Sequence, residues 1–172
     1  MRERGERVFI LVRALTYATL FIGLVLVFLP ARVLSESGVM RPSAFGAAQT
    51  LGMLVATIGA AVAVWCVLTF ALVGRGTPAP FDPPRRLVVR GPYKHVRNPM
   101  YLGAATALAG AALFYQSAAL GLYAGAFLLL THAFVRFYEE PTLRATFGAE
   151  YAEYCRDVRR WRPRLRVGPR AT

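Results

Sequence analysis

The chain has 172 residues, 56% of them hydrophobic, and a formal net charge of +12. All but one of its 21 basic residues are arginine (Lys94 is the exception), and they cluster between long apolar runs. That pattern excludes an ordinary soluble domain. It also points the basic residues at anionic lipid headgroups rather than nucleic acid, because they flank the apolar runs.

Val8–Leu29 is long enough to cross a bilayer core. The basic start MRERGER is like a signal-peptide n-region, but the apolar run is longer than a signal h-region and no small-x-small cleavage site follows. It is read as a retained first span, with Arg13 snorkelling to the surface. Pro30–Pro42 is a short connector with Arg32, Glu36 and Arg41. The second run, Ser43–Val73, exceeds one perpendicular crossing, so tilt or a kink near Gly52 or Gly59 is expected. Its small residues, from Gly46 through Gly52, Ala56 and Gly59 to Ala63, recur near helical spacing, which in membranes signals close helix packing.

Gly74–Asn98 is a long basic loop rich in proline, with apolar anchors at Phe81 and Leu87-Val88-Val89. Loops of this length are mostly functional or disordered; the anchors favour an ordered cover or pocket wall. Pro99–Tyr138 reads as a helical hairpin that turns at Gln116-Ser117, with Asn98 as the N-cap and Pro99 as the first helical residue. Its second arm returns to Glu140, and Pro141 is expected to break it. Beyond the proline, Phe147, Tyr151, Tyr154, Val158 and Trp161 repeat at three- to four-residue spacing. That repeat predicts an amphipathic helix lying in the interface with its aromatic face against headgroups. A basic tail follows from Arg162.

The expected fold is therefore all-α: an integral membrane protein of about four transmembrane helices including a helical hairpin, plus a C-terminal interfacial amphipathic helix. Residues 1–42 form a first helix and connector, 43–163 the core and 164–172 a tail. The basic loops place both termini and the Gly74–Asn98 loop in the cytosol, with the cell inner membrane as the location. Cys66 and Cys155 offer neither a metal spacing nor a disulfide framework.

Chemistry concentrates where the loop enters the hairpin, GPYKHVRNPMYLG. Tyr93, Arg97 and Asn98 crowd a helix N-terminus, which suits an anionic ligand group. At the other end of the hairpin, THAFVRFYEEPTL places His132, Arg136 and Glu139 on one helix face beside Glu140. Two carboxylates at a helix C-terminus oppose the dipole and call for a cationic partner, either a nearby arginine or a ligand. Brought together, the two ends match a zwitterionic ligand, such as a methyl sulfonium donor.

The pattern G-P-Y-x3-R-N-P-x-Y-x-G, followed by Glu139-Glu140 and F-G-x2-Y-x2-Y, resembles the integral-membrane methyltransferases, among them the isoprenylcysteine carboxyl methyltransferases and the phosphatidylethanolamine N-methyltransferases. The resemblance runs from Gly46 to Pro163. It implies that S-adenosylmethionine lies between the start of the Pro99 helix, the loop before it and the acidic pair. Arg97, Pro99, Tyr101 and Gly103 match the family's loop-helix motif, Glu139 and Glu140 its acidic pair, and Gly59 a small-residue cofactor contact, although Thr57 stands where a first glycine would be. Asn98 replaces the usual histidine of the carboxyl methyltransferases and matches the phospholipid enzymes.

The implied reaction is methyl transfer to a lipid or other membrane-partitioning acceptor, amine or carboxylate, at the cytosolic membrane face. Glu139, Glu140 and His132 are the candidates to take up an amine proton. Two other readings share parts of the pattern: an NADPH-dependent membrane reductase of the sterol-reductase type, and a non-enzymatic basic scaffold. The partners expected are membrane lipids and a lipophilic small-molecule acceptor, with no nucleic acid and no metal.

Overall fold

In the computed structural model, which describes residues 12, 16, 19–42, 44–70 and 86–163, every regular element is a helix. They are α1 (Thr19–Glu36), α2 (Ala47–Thr69), a 3₁₀ turn (Gly91–Lys94), α3 (Pro99–Tyr115), α4 (Ala118–Phe134) and α5 (Glu140–Asp157). A π-type turn, Val135–Glu139, joins α4 to α5 without a break. Residues 1–11, Arg13, the first part of the long loop (74–85, including Phe81) and the tail from 164 lie outside the described residues, and with them the expectations placed there.

Three helices are long and apolar enough to cross a membrane: α1, α2 and the α4–α5 rod; α3 is a shorter apolar helix of 17 residues. The rod has 40 residues. Up to the break at Gly148 its first thirty residues rise about 45 Å at ~1.5 Å per residue, more than the ~30 Å bilayer core. A crossing of about 20 residues that starts at Ala118 ends near Tyr138, which by length puts Glu139 onward beyond it. With α3, whose ~25 Å nearly matches the core, the result is an all-α bundle of four spans. Its hairpin turns at Gln116, which adopts the left-handed conformation (φ 49°), and Ser117, whose hydroxyl accepts from the Leu120 N–H.

The small-residue stripe assembles the bundle. A Cβ on Gly52 would lie 2.5 Å from the Phe114 nitrogen, one on Gly59 2.6 Å from the Gly103 oxygen, and one on Gly103 2.8 Å from the Gly59 oxygen. The backbones of α2 and α3 therefore run in direct contact along their length, which is the contact that small residues permit in a membrane. α2 is uninterrupted: neither Gly52 nor Gly59 kinks it, because both are spent on this seam. The Gln49 side chain ties the start of α2 to the end of α3 by donating to the Phe114 carbonyl at 3.3 Å. On the opposite face of α3, Ala104, Ala105 and Leu108 pack with Ala124 and Phe127 of α4.

Two prolines do not end their helices. α1 continues through Pro30 to Glu36, and the rod continues through Pro141. In both cases a π-type turn lies immediately upstream (Ile22–Phe28 and Val135–Glu139), with Leu29 donating to Leu24 and Glu140 to Val135. Shifting the bonds to i−5 moves the carbonyls that a proline ring would strike and leaves the missing proline N–H opposite Val25 and Arg136. The orphaned Val25 carbonyl accepts from the Tyr123 hydroxyl at 2.8 Å, which fastens α1 to α4. The break expected at Pro141 falls instead at Gly148 (φ 51°).

The aromatic face of α5 also differs from expectation. Tyr151, Tyr154 and Val158 are buried, and they pack against Leu87, Val89, Leu143 and Phe147 rather than facing headgroups. The loop supplies an apolar surface nearer than the lipid, and burial there satisfies the same hydrophobic periodicity.

Candidate functional site

The described end of the long loop, residues 86–98, is a wall fixed on both sides. Alternation within Leu87-Val88-Val89 sends Val88 towards Cys66 of α2 and Tyr93, and Leu87 and Val89 towards the tyrosines of α5. Gly91 turns the chain at φ 58°, where a Cβ would also press on Thr69. Tyr93 is buried with its ring edge-on to Phe70, and its carbonyl accepts from the Tyr154 hydroxyl at 2.7 Å. Tyr93, expected as a ligand contact, is thus a core residue that mates loop, α2 and α5.

Beyond Tyr93, loop and α5 are joined by charge. Arg97 pairs with Glu140 at 3.0 Å, donates to the Cys155 sulfur, and bonds through its backbone N–H to the Arg159 carbonyl at 3.0 Å. Arg160 grips the same carboxylate with two donors, Nε at 2.6 Å and one terminal nitrogen at 2.7 Å. Such a fork matches carboxylate geometry and is the strong form of the pair. Asn98 occupies the N-cap position, but its side chain caps nothing. It is buried, and its amide donates to the Arg160 carbonyl at 3.3 Å. Pro99 is buried at the first position of α3, as expected.

Glu139 and Glu140 therefore live in different surroundings. Burial pushes the Glu140 carboxyl up, but the Arg160 hydrogen bonds and the charges of Arg97, Arg160 and Arg144 outweigh it and hold the group below its ordinary value. Among the described residues Glu139 has no cation within ion-pair distance; the Tyr101 hydroxyl donates to its Oε2 at 3.1 Å. Burial, with the Glu140 charge adding and the Tyr101 hydrogen bond opposing, raises it from an ordinary 4.5 to about 7. Two adjacent carboxylates with separated affinities for a proton mark different jobs. One further group is left incomplete: Arg97 Nε is buried with no partner among the described residues.

The remaining expected residues sit elsewhere. Gly59 and Gly103 face each other in the α2–α3 seam, where the opposing backbone fills the space beside them. His132 is exposed, and its Nδ1 accepts from the Trp161 indole at 2.9 Å. Seven residues of helix separate it from Glu139, about 10 Å along the axis. The structure thus brings Arg97, Asn98, Pro99, Tyr101, Glu139 and Glu140 to one end of the bundle and leaves Gly59, Gly103 and His132 on other duties.

Sequence reasoning missed Arg160, Cys155 and Tyr151 in this cluster. Arg160 stands in a run, Arg156 to Arg164, in which nothing local distinguishes it. For Tyr151 and Tyr154 the periodicity was the signal, with the wrong partner attached.

A bundle of long apolar helices that gathers a buried polar cluster at one end defines an integral membrane protein. Residues 47–150, more than half of the chain, match the model of the phospholipid methyltransferase family. The chain belongs to that family. No curated protein and no solved structure matches it.

Proposed function

We propose that the protein transfers a methyl group from S-adenosylmethionine to a lipid acceptor, and that Glu139 meets the cationic part of the donor. The observation that carries this reading is the asymmetry of the acidic pair. Glu140 is neutralised by two arginines, whereas Glu139 is a half-buried acid whose described partner is one tyrosine hydroxyl. An unpaired carboxylate in a low-dielectric setting is costly, and a cationic ligand removes that cost. The donor set fits the donor molecule. Glu139 and Tyr101 suit its ammonium and sulfonium side, while Arg97 Nε and the first free N–H groups of α3 suit its carboxylate or hydroxyl oxygens.

When bound, S-adenosylmethionine supplies an already activated methyl group, so no nucleophile triad or metal is called for. What this chain contributes is placement and exclusion of water. The wall 86–98, packed on the tyrosines of α5, provides a dry surface beside the acidic pair, with Tyr93 the wall residue that senses Glu139. Glu139 is the residue placed to hold a proton lost from an acceptor amine, since its affinity for one lies near neutrality. His132, with Nδ1 occupied, is not needed for this. A headgroup amine is the acceptor that best accords with the family and with Asn98-Pro99-Met100-Tyr101.

The test is methyl transfer from labelled S-adenosylmethionine into a lipid extract by the purified protein in vesicles. Label in an amine-bearing lipid, lost in Glu139→Gln, is the expected result. No labelled lipid with wild-type protein of intact fold overturns the reading.

A further inference from the structure

The cluster contains a residue from outside the family-matched segment. Arg160 lies ten positions beyond residue 150, where that match ends. It is nonetheless, among the described residues, the closest cation to Glu140, with two hydrogen bonds of 2.6 and 2.7 Å, and its carbonyl holds the Asn98 side chain. Its neighbours pin the segment on either side: the Arg159 carbonyl accepts from the Arg97 backbone, and Trp161 reaches across to His132. Residues 158–161 form a strap from the end of α5 back over the start of α3.

We propose that Arg160 is a positioning residue for the donor's cationic end: by occupying and neutralising Glu140 it leaves Glu139 as the carboxylate that faces the ligand, and sets how readily Glu139 is ionised there. This rests on the reading of Glu139 as the residue that meets the donor.

The argument is electrostatic and geometric. Adjacent carboxylates in a poorly solvated site repel each other, so one ionises easily only if the other is compensated. Arg97 alone could compensate Glu140 with a single contact, but its guanidinium is shared with Cys155. Arg160 adds a second full charge in fork geometry. The charged and titratable groups around the pair are Tyr101 from α3, Tyr93 and Arg97 from the loop, Arg144, Tyr151 and Cys155 from α5, and Arg160 from the strap. Of these, Arg160 is the arginine outside the wall that hydrogen-bonds Glu140 directly. Losing it leaves Glu140 undercompensated, so Glu139 holds its proton to higher pH and a cation binds less well at neutrality.

The experiment measures binding of S-adenosylmethionine by calorimetry between pH 5.5 and 9 in detergent, for wild type, Glu139→Gln, Arg160→Gln, Arg160→Lys, Glu140→Gln and the double variant Arg160→Gln/Glu140→Gln. In wild type the affinity should rise with pH through the ionisation of Glu139, and Glu139→Gln should flatten that rise. The donor's own amine titrates identically in every arm. Arg160→Gln should move the midpoint up by roughly one pH unit, the scale of a unit charge removed a few ångströms away at an intermediate dielectric.

Arg160→Lys should stay near wild type, and Glu140→Gln should move the midpoint down. The double variant should return towards wild type. Should Arg160→Gln not fold, the downward shift in Glu140→Gln carries the same test. A uniform loss of affinity at every pH, with the midpoint unmoved in Arg160→Gln and in Glu140→Gln, would show that Arg160 is merely structural and overturns the inference. If wild type binds no donor, or Glu139→Gln binds as wild type does, it is the underlying reading of Glu139 that fails.

Discussion

Glu139 and Glu140 are neighbours in sequence, yet their substitution should act on different properties and with opposite sign. Glu139 is raised from 4.5 to about 7 in the folded protein. The folded state thus binds its proton more tightly than the unfolded chain does. The associated stability is full below pH 4.5 and is lost as pH rises through about 7. Glu140 is shifted the other way; its contribution is present above the unfolded value and lost as pH falls through the lowered folded one. In melting curves of the ligand-free protein, Glu139→Gln should match wild type near pH 4.5 and be more stable at pH 8 by about 1–3 kcal/mol. Glu140→Gln should be less stable by about 3 kcal/mol at neutral pH, because it strands Arg97 and Arg160 in a buried site. If Glu139→Gln destabilises at pH 8, its carboxylate has a cation partner and the asymmetry is not real. The sequence displayed the acidic pair but not its division of labour, since the arginine that claims Glu140 lies twenty residues away in an undistinguished basic run.

At the scale of elements, the glycines divide into those spent on contact and those facing open space. A Cβ at Gly52 or Gly110 would overlap backbone of the partner helix, whereas at Gly121 and Gly125 nothing lies within 4 Å. Gly52→Ala and Gly110→Ala should each force α2 and α3 apart, at a cost of roughly 2 kcal/mol or more. Gly121→Ala and Gly125→Ala should be neutral, or stabilising by up to about 1 kcal/mol through helix propensity. Detergent melting temperatures would decide it; equal effects in the two sets would mean that the seam is not the packing core. This seam was legible because a small-residue period has one physical use in a bilayer. The hairpin was legible too, from its polar turn at Gln116-Ser117. The two helices that pass through Pro30 and Pro141 were not, because a proline reads locally as a stop, and a π-type turn upstream carries no residue signature of its own. Nor was the partner of the α5 aromatics: a periodic apolar face states that it will be buried, without stating whether protein or lipid buries it.

For the molecule as a whole, packing sorts the charge onto one end. The start of α2 meets the end of α3 through Gln49 and Phe114, so that end holds the α1–α2 connection and the hairpin turn. The opposite end holds the wall, the acidic pair and the strap, and with them Arg86, Arg90, Lys94, Arg144, Arg156 and Arg162. The first end has Arg32 and Arg41, and Arg32 is paired with Glu36 at 2.9 Å. An excess of arginine in short segments flanking spans sets orientation, with the basic side cytosolic. The acidic pair and its arginines should therefore face the cytosol. The proposed donor is charged and carries a nucleoside, so it does not cross a bilayer unaided; on that proposal its site faces the compartment that supplies it, the same orientation that the charge distribution predicts. Reporter fusions after Ser37 and after Gln116 should be active outside the cytosol, and a fusion after Arg162 inside it. If the Ser37 and Arg162 fusions report the same side, the count of four spans is wrong. Should all three be reversed, the bundle stands but the donor reading loses its supply, and the site must serve a ligand from the other side.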